Sequence, residues 1–286
     1  KTKMENLKRL IVVLGPTGSG KSNLAVKLAK KFNGEVISAD SRQIYKGMDI
    51  GTGKITKKEM EGIPHHLIDV VSPKRRFTVT QYRNLALRAI NKIFKKEKLP
   101  ILCGGTGFYI QSVIDGITIP EVKPDQLLRF NLNKLNIKEL FRKLKKIDPE
   151  RAKIIDRNNP RRLIRAIEIV MKTGKPIPEL EKNPLPYPIL IIGLRISKNE
   201  LKARIGQRVE KMIKLGLEKE AKKFLVPIIG YQEWSLPNPK DLIIQHTIQY
   251  AKRQMTWFKK DKRIIWLKTQ KEAKKLTKKF LQNISH

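Results

Sequence analysis

The run Leu10-Ile-Val-Val-Leu14 is apolar without alternation and is followed at once by Gly15-Pro16. Such a run, stopped by turn residues, predicts a strand covered on both faces, as in a parallel sheet. Beyond a glycine-rich turn, Ala25, Leu28, Ala29 and Phe32 recur at helical spacing, and Glu35-Val-Ile-Ser-Ala39 predicts a second strand ending at Asp40. Helical periodicity then occupies Thr80 to Lys96, ahead of a third buried strand, Leu99-Pro-Ile-Leu-Cys103, stopped by Gly104-Gly105-Thr106-Gly107. Strands and helices in alternation predict an α/β fold, a parallel sheet with helices on both faces. From Gly116 to Pro188 the texture is helical, and the exit is studded with Pro176, Pro178, Pro184, Pro186 and Pro188. Strand character returns at Ile189-Leu-Ile-Ile192 and at Arg263-Ile-Ile-Trp-Leu267. The expected organisation is a discontinuous core, residues 1–115 and 189–286, carrying a helical insertion at 116–188.

Towards the end of the chain, Ile244, Ile248, Ala251, Met255 and Phe258 predict the buried stripe of a helix, with Lys252, Arg253, Lys259 and Lys260 facing elsewhere. Charge then adds a partner class. Lys and Arg number 62 against 26 Asp and Glu, a formal net charge of +36, which favours a polyanion and nucleic acid first. The same excess also suits a lysine-rich surface adapted to heat. The single cysteine, Cys103, excludes an internal disulfide or a cysteine-rich zinc site and agrees with a cytoplasmic location. No run approaches the roughly 18 apolar residues of a membrane span. The residues around Lys1 to Lys3 and Met4 lack a signal peptide's apolar centre. The pair His65-His66 has no further His or Cys nearby to complete a metal set.

Gly15-Pro-Thr-Gly-Ser-Gly-Lys-Ser22 fits G-x-x-x-x-G-K-[ST] and lies between a buried strand and a helix, where the mechanism of that motif requires it. The glycines let backbone N–H groups turn around phosphate oxygens, the helix N-terminus adds positive potential, Lys21 neutralises charge, and the Ser22 hydroxyl suits Mg²⁺. By motif alone this is a nucleotide site of the ATP-binding kind. An acid of the Mg²⁺-holding type is missing where the strand ending at Cys103 runs into Gly104-Gly105-Thr106. Asp40, at the end of another strand, would reach the same sheet edge, where a carboxylate can serve as a base or merely cap a turn.

The segments Gly15 to Ser22, Asp40-Ser-Arg-Gln-Ile-Tyr45, Gly104-Gly-Thr-Gly-Phe-Tyr109, Asp148-Pro149, Asn158-Asn-Pro-Arg-Arg-Leu-Ile-Arg165, Ile229-Gly-Tyr231 and Tyr250-Ala-Lys-Arg-Gln-Met-Thr-Trp-Phe258 together resemble the tRNA dimethylallyltransferases. The likeness runs from Leu10 to about Phe258. It implies transfer of a dimethylallyl group from its diphosphate to N6 of the adenosine 3′ of the anticodon. The phosphate loop, Gly15, Pro16, Thr17, Gly18, Ser19, Gly20, Lys21 and Ser22, would then hold diphosphate, with Mg²⁺ at Ser22. The resemblance assigns catalysis to Asp40 as base with Thr106, Lys21 and Arg208, and tRNA contact to Asp40, Ser41, Arg42, Gln43, Thr106, Arg129, Arg161, Arg162, Leu163, Ile164 and Arg165. It implies two partners, the tRNA anticodon stem-loop and dimethylallyl diphosphate, and a monomer is the expected state. A helical reading places Arg161, Arg162 and Arg165 opposite the stripe Leu163, Ile167 and Val170. Thr106 is equally suited to cap the helix before Phe108, and Trp257 to packing.

The chain departs from the family at Ile248 after Thr247, where an arginine is usual, in the short connection Phe224-Leu-Val226, and in an abbreviated segment from Pro120 to Pro124. Two other classes stay open on the residues alone. One is a small-molecule transferase, either a nucleotide kinase or an isopentenyltransferase of free adenine nucleotides, against which the basic insertion argues. The other is an RNA-binding protein with a relict nucleotide site, against which the intact Lys21, Ser22, Asp40 and Thr106 argue.

Overall fold

A computed structural model of the chain describes residues 8–117, 122–178, 181–224 and 226–282. Lys1 to Met4, Pro120 and Leu225 lie outside the described residues. The chain forms two compact units, residues 1–116 with 184–286, and residues 117–183.

The larger unit is a six-stranded sheet, all strands parallel, in the order β3-β2-β4-β1-β5-β6. In chain order its first half comprises β1 (Leu10–Leu14), α1 (Lys21–Lys31), β2 (Gly34–Ser38), α2 (Lys57–Met60), β3 (His65–His66), α3 (Val79–Lys95), β4 (Leu99–Gly104) and α4 (Gly107–Ile114). The smaller unit contributes α5 (Gln126–Asn133), α6 (Ile137–Ile147), α7 (Pro149–Ile154) and α8 (Pro160–Thr173). The sheet unit then resumes with β5 (Ile189–Leu194), α9 (Lys198–Lys214), α10 (Leu217–Ala221), a 3-10 turn at Gln232–Ser235, α11 (Pro239–Phe258), β6 (Ile265–Leu267) and α12 (Gln270–Gln282). Among the described residues no helix is long and apolar enough to cross a membrane.

The unbroken apolar run of β1 is explained by its central place between β4 and β5. Because successive strand side chains point to opposite faces, Leu10, Val12 and Leu14 pack beneath α3 and α4, while Ile11 and Val13 pack with Leu24, Ala25 and Leu28 of α1. The two-residue strand β3 carries no apolar signal; it forms because Val36 and Ile37 offer it an open edge. Of the proline-rich exit, Pro184, Pro186 and Pro188 belong to the sheet unit, whereas Pro176 and Pro178 belong to the smaller one. Leu185 N–H donates to the Ile114 carbonyl, and Tyr187 meets Phe94 edge-on at 5.3 Å. Strand β6 starts two residues later than expected, because Lys262 and Arg263 lie in a turn in which the Ile264 N–H donates to the Asp261 carbonyl and the Arg263 N–H to the Asp261 carboxylate.

In the smaller unit the helix starts are written locally. Asp125, Asn136, Asp148 and Asn159 each accept an N–H from the first turn of the helix they precede, and Pro149 and Pro160 take positions where no N–H is needed. Leu132, Leu140, Leu144, Leu163 and Ile167 form its core.

At the amino end of β2, Glu35 is fully buried and receives hydrogen bonds from His66, Lys96 and Lys98 at 2.7, 2.9 and 3.1 Å. Burial alone would raise its pKa, but these hydrogen bonds and the Lys96 charge outweigh it and hold the carboxyl at about 2. A folded-state pKa below the ordinary value of 4.5 gives stability that is present above that value and lost as pH falls towards 2. The loss should be on the order of 3 kcal/mol when protonation is complete. Urea unfolding of the wild type across this pH range should show the loss, and Glu35→Gln, already weaker at neutral pH, should lack this component.

Candidate active site

Because every strand is parallel, the loops after β1, β2 and β4 emerge at one sheet edge, where α/β sheets bind ligands. The loop after β1 is Gly15 to Gly20, with α1 beginning at Lys21. Gly18 and Gly20 take φ of +81° and +87°, left-handed values that glycine adopts at little cost. The Ser19 hydroxyl is buried and has no partner among the described residues. Lys21 sets its ammonium 3.3 Å from the Pro16 carbonyl. Desolvation lowers the Lys21 pKa; the Asp40 charge opposes that shift and Arg208 adds to it.

Asp40 follows β2 and accepts the Arg42 N–H at 2.9 Å, which orients its carboxylate. Thr106 holds the N-cap position of α4 but makes no capping bond there. Its hydroxyl instead accepts the Ser41 N–H at 3.0 Å and donates to the Ser41 hydroxyl at 3.3 Å. Its own N–H donates to the Ala39 carbonyl at 3.1 Å. The ends of β2 and β4 can approach this closely because residue 104 is glycine: a Cβ there would lie 2.1 Å from the Ala39 oxygen.

Arg208, on α9, donates to the Gly53 carbonyl at 3.3 Å. Desolvation lowers its pKa, while Asp40 and Glu59 oppose the shift. Gln43, expected at the tRNA, spends an amide N–H on the same carbonyl at 3.1 Å, so that donor is engaged within the protein. Lys21, Ser22, Asp40, Arg42, Gln43 and Arg208 line one cleft together with Thr17, Gly51 to Gly53, Met212, Ile229, Gly230, Ile243, Thr247 and Tyr250. Ile248, which stands where an arginine was expected, is half-buried against the hydrophobic cluster of α9 and α11.

Gly53 has φ +57°, and a Cβ on it would fall 1.6 Å from Arg208 Nη2. Gly53→Ala should therefore displace the guanidinium from the cleft. Inorganic pyrophosphate should bind about tenfold more weakly, the scale expected for losing a charge-assisted contact. Titration calorimetry checks this, and unchanged affinity would mean that Arg208 does not face the ligand.

The remaining predicted contacts lie in the smaller unit. Arg161 and Arg162 are exposed on α8, the latter 3.7 Å from Asp156. Arg129 and Arg165 instead grip the fully buried Glu168, and Arg165 also donates to the Val122 carbonyl at 3.0 Å. Leu163 and Ile164, expected at the RNA, are 0% and 7% exposed. Both pack in the core of this unit, because α8 is buried around most of its circumference beyond its first turn, so their side chains are not available to a ligand.

Three site features escaped the sequence reading. Tyr250 lies under the Arg42 guanidinium, 4.4 Å from ring centroid to Cζ, a cation–π contact inside the cleft. Glu220 accepts the N–H groups of Asp49, Ile50 and Gly51 at 3.0, 2.9 and 2.9 Å and so shapes the loop that carries Gly53. Gln254 is buried in α11, where the actual stripe is Ile243, Ala251, Gln254 and Phe258; Ile244, Ile248 and Met255 are half-buried. A polar residue in phase with the buried face was the available signal for Gln254.

A phosphate loop, a strand-end carboxylate and a half-buried arginine that line one cleft define a P-loop site. The chain belongs to the IPP transferase family, whose model matches residues 43–261. It is 41% identical to the tRNA dimethylallyltransferase of Halalkalibacterium halodurans over 90% of each chain, and 41% identical to that of Bacillus subtilis over 92% of each. Among solved structures, the tRNA isopentenylpyrophosphate transferase of Bacillus halodurans superposes with a TM-score of 0.72 at 37% identity, covering 96% of this chain and 97% of that one. A eukaryotic dimethylallyltransferase studied acting on tRNA superposes with a TM-score of 0.82 at 29% identity, covering 97% of this chain and 80% of that one.

Proposed function

We propose that this chain transfers a dimethylallyl group from dimethylallyl diphosphate to N6 of the adenosine immediately 3′ of the anticodon in tRNA, releasing diphosphate. The observation that carries the reading is the single cleft in which Lys21, Ser22 and Arg208 face Asp40. N6 attacks C1 of the dimethylallyl group, the C1–O bond breaks, and Asp40 takes the N6 proton. Negative charge then grows on the departing diphosphate, where the loop amides, Lys21 and Arg208 stabilise it. Thr106, by binding Ser41, fixes the turn that carries Asp40.

The donor set fits a Mg²⁺ ion that takes few protein ligands and completes its shell with substrate oxygens and water. Ser22 supplies a hydroxyl in the cleft, and among the described residues no cluster of three His, Cys, Asp or Glu offers a protein cage. Bound at Ser22, Mg²⁺ would neutralise the leaving diphosphate. The exposed Arg161 and Arg162 suit RNA phosphates, which position a substrate without reading its sequence. The target adenine must leave its stack to react, as in other base-modifying enzymes.

Nucleoside mass spectrometry tests the reading after incubation with Mg²⁺, dimethylallyl diphosphate and unmodified tRNA, with parallel reactions on AMP, ADP and ATP. The expected result is isopentenyl mass on tRNA adenosine alone. Label on free nucleotides alone would replace it with the small-molecule transferase.

A further inference from the structure

Gln254 sits on the buried face of α11, 6% exposed, and its amide makes two long-range hydrogen bonds. Its Oε1 accepts the Thr17 N–H of the phosphate loop at 2.9 Å, and its Nε2 donates to the Gly105 carbonyl at 2.9 Å. These two partners belong to different loops, one after β1 and one after β4. Thr17 lies in the loop that cradles phosphate, whereas Gly105 precedes Thr106, whose N–H and hydroxyl hold Ala39 and Ser41 on either side of Asp40. We propose that Gln254 is a positioning residue that sets the diphosphate loop in register with the Asp40–Thr106 turn, so that leaving group and base are aligned on one substrate pair. The proposal rests on the transfer reaction for its kinetic arm only.

The chemistry of the position supports the role. One side-chain end must offer an acceptor to an N–H and a donor to a C=O, which a carboxamide does and a carboxylate or thioether does not. Asn is a carbon shorter, and both bonds here are already at ordinary length. The close approach is built into the backbone, since a Cβ on Gly105 would stand 2.2 Å from Nε2. The Thr17 N–H, committed to Gln254, orients its loop and is not offered to phosphate. A group buried this completely, with both of its polar ends used on loops of the site, transmits displacement from one loop to the other. Truncation leaves a buried N–H and a buried C=O without partners and the two loops independent.

The test compares the full chain with Gln254→Ala and with the isosteric Gln254→Glu by hydrogen–deuterium exchange, with and without Mg²⁺ and inorganic pyrophosphate. In the wild type, pyrophosphate should slow exchange in the phosphate loop and also around Asp40 and Thr106. In both variants the loop should still be protected, and the remote protection should be lost. Single-turnover transfer at saturating substrates should fall about tenfold or more in both, with a smaller change in donor KM, as expected for misalignment. Gln254→Glu adds a readout that mere packing would not move. Its activity relative to wild type should rise as pH is lowered, because the protonated carboxyl regains a donor for Gly105.

Remote protection and single-turnover rates equal to wild type in Gln254→Ala would overturn the proposal. So would calorimetry showing both variants unfolded at the assay temperature, which would make Gln254 a folding residue. If the wild type transfers nothing to tRNA, the reaction reading fails, and the exchange data still decide the coupling.

Discussion

Asp40→Asn is expected to lower the single-turnover rate of transfer to tRNA by about 10²–10⁴, the range that a positioned proton acceptor contributes. Asn keeps the volume of Asp40 and an oxygen that can accept the Arg42 N–H, so the turn should hold its shape. Pyrophosphate should bind the variant at least as well as the wild type, because a negative charge near Lys21 and Arg208 has been removed. The informative pair of measurements is therefore rate and pyrophosphate affinity. Loss of both would mean that Asp40 organises the cleft as a whole, and unchanged transfer would remove it from the reaction.

Glu168→Ala should be the most damaging single change to stability. The Glu168 carboxylate is fully buried and accepts from Arg129 through Nε at 2.7 Å and Nη2 at 2.6 Å, from Arg165, and from the Asp125 N–H at 2.7 Å. Burial works to raise its pKa, but these donors prevail and bring it to about 2. Removing one member of a buried charge cluster leaves the others uncompensated and typically costs about 3–5 kcal/mol. The smaller unit has a modest core, so the variant should show rapid amide exchange across residues 122–178 and weak tRNA binding. Pyrophosphate binding, carried by the sheet unit, should persist. Full protection of α5 and α8 in the variant would show that the cluster does not hold this unit together.

This cluster also shows where sequence reading stops. Arg129 and Arg165 carry the right chemistry for RNA phosphate, and nothing local reveals that a carboxylate in the middle of an apolar helix face has claimed them. Gln43 is a similar case: its amide could read an adenine edge, yet Gly53, ten residues on, takes one of its N–H groups. Thr106 was legible as a helix cap, and the structure uses the N-cap position while spending the hydroxyl on Ser41.

Features that depend on neighbours along the chain were readable from the residues alone. The unbroken apolar run of β1, the glycines and lysine of the phosphate loop, and the Asp and Asn caps preceding Pro149 and Pro160 act within a few residues of themselves, where spacing is structure. Their type and order placed Lys21, Ser22, Asp40 and Thr106 at strand ends, and a parallel sheet then had to bring them to one edge. How those ends are joined is set by contacts made across the fold. Gln254 meets Thr17 across 237 positions and Gly105 across 149. Arg208 meets Gly53 across 155. A hydrogen bond depends on distance and angle in space, so a periodic pattern can show that a residue is buried without showing which distant backbone group it will satisfy.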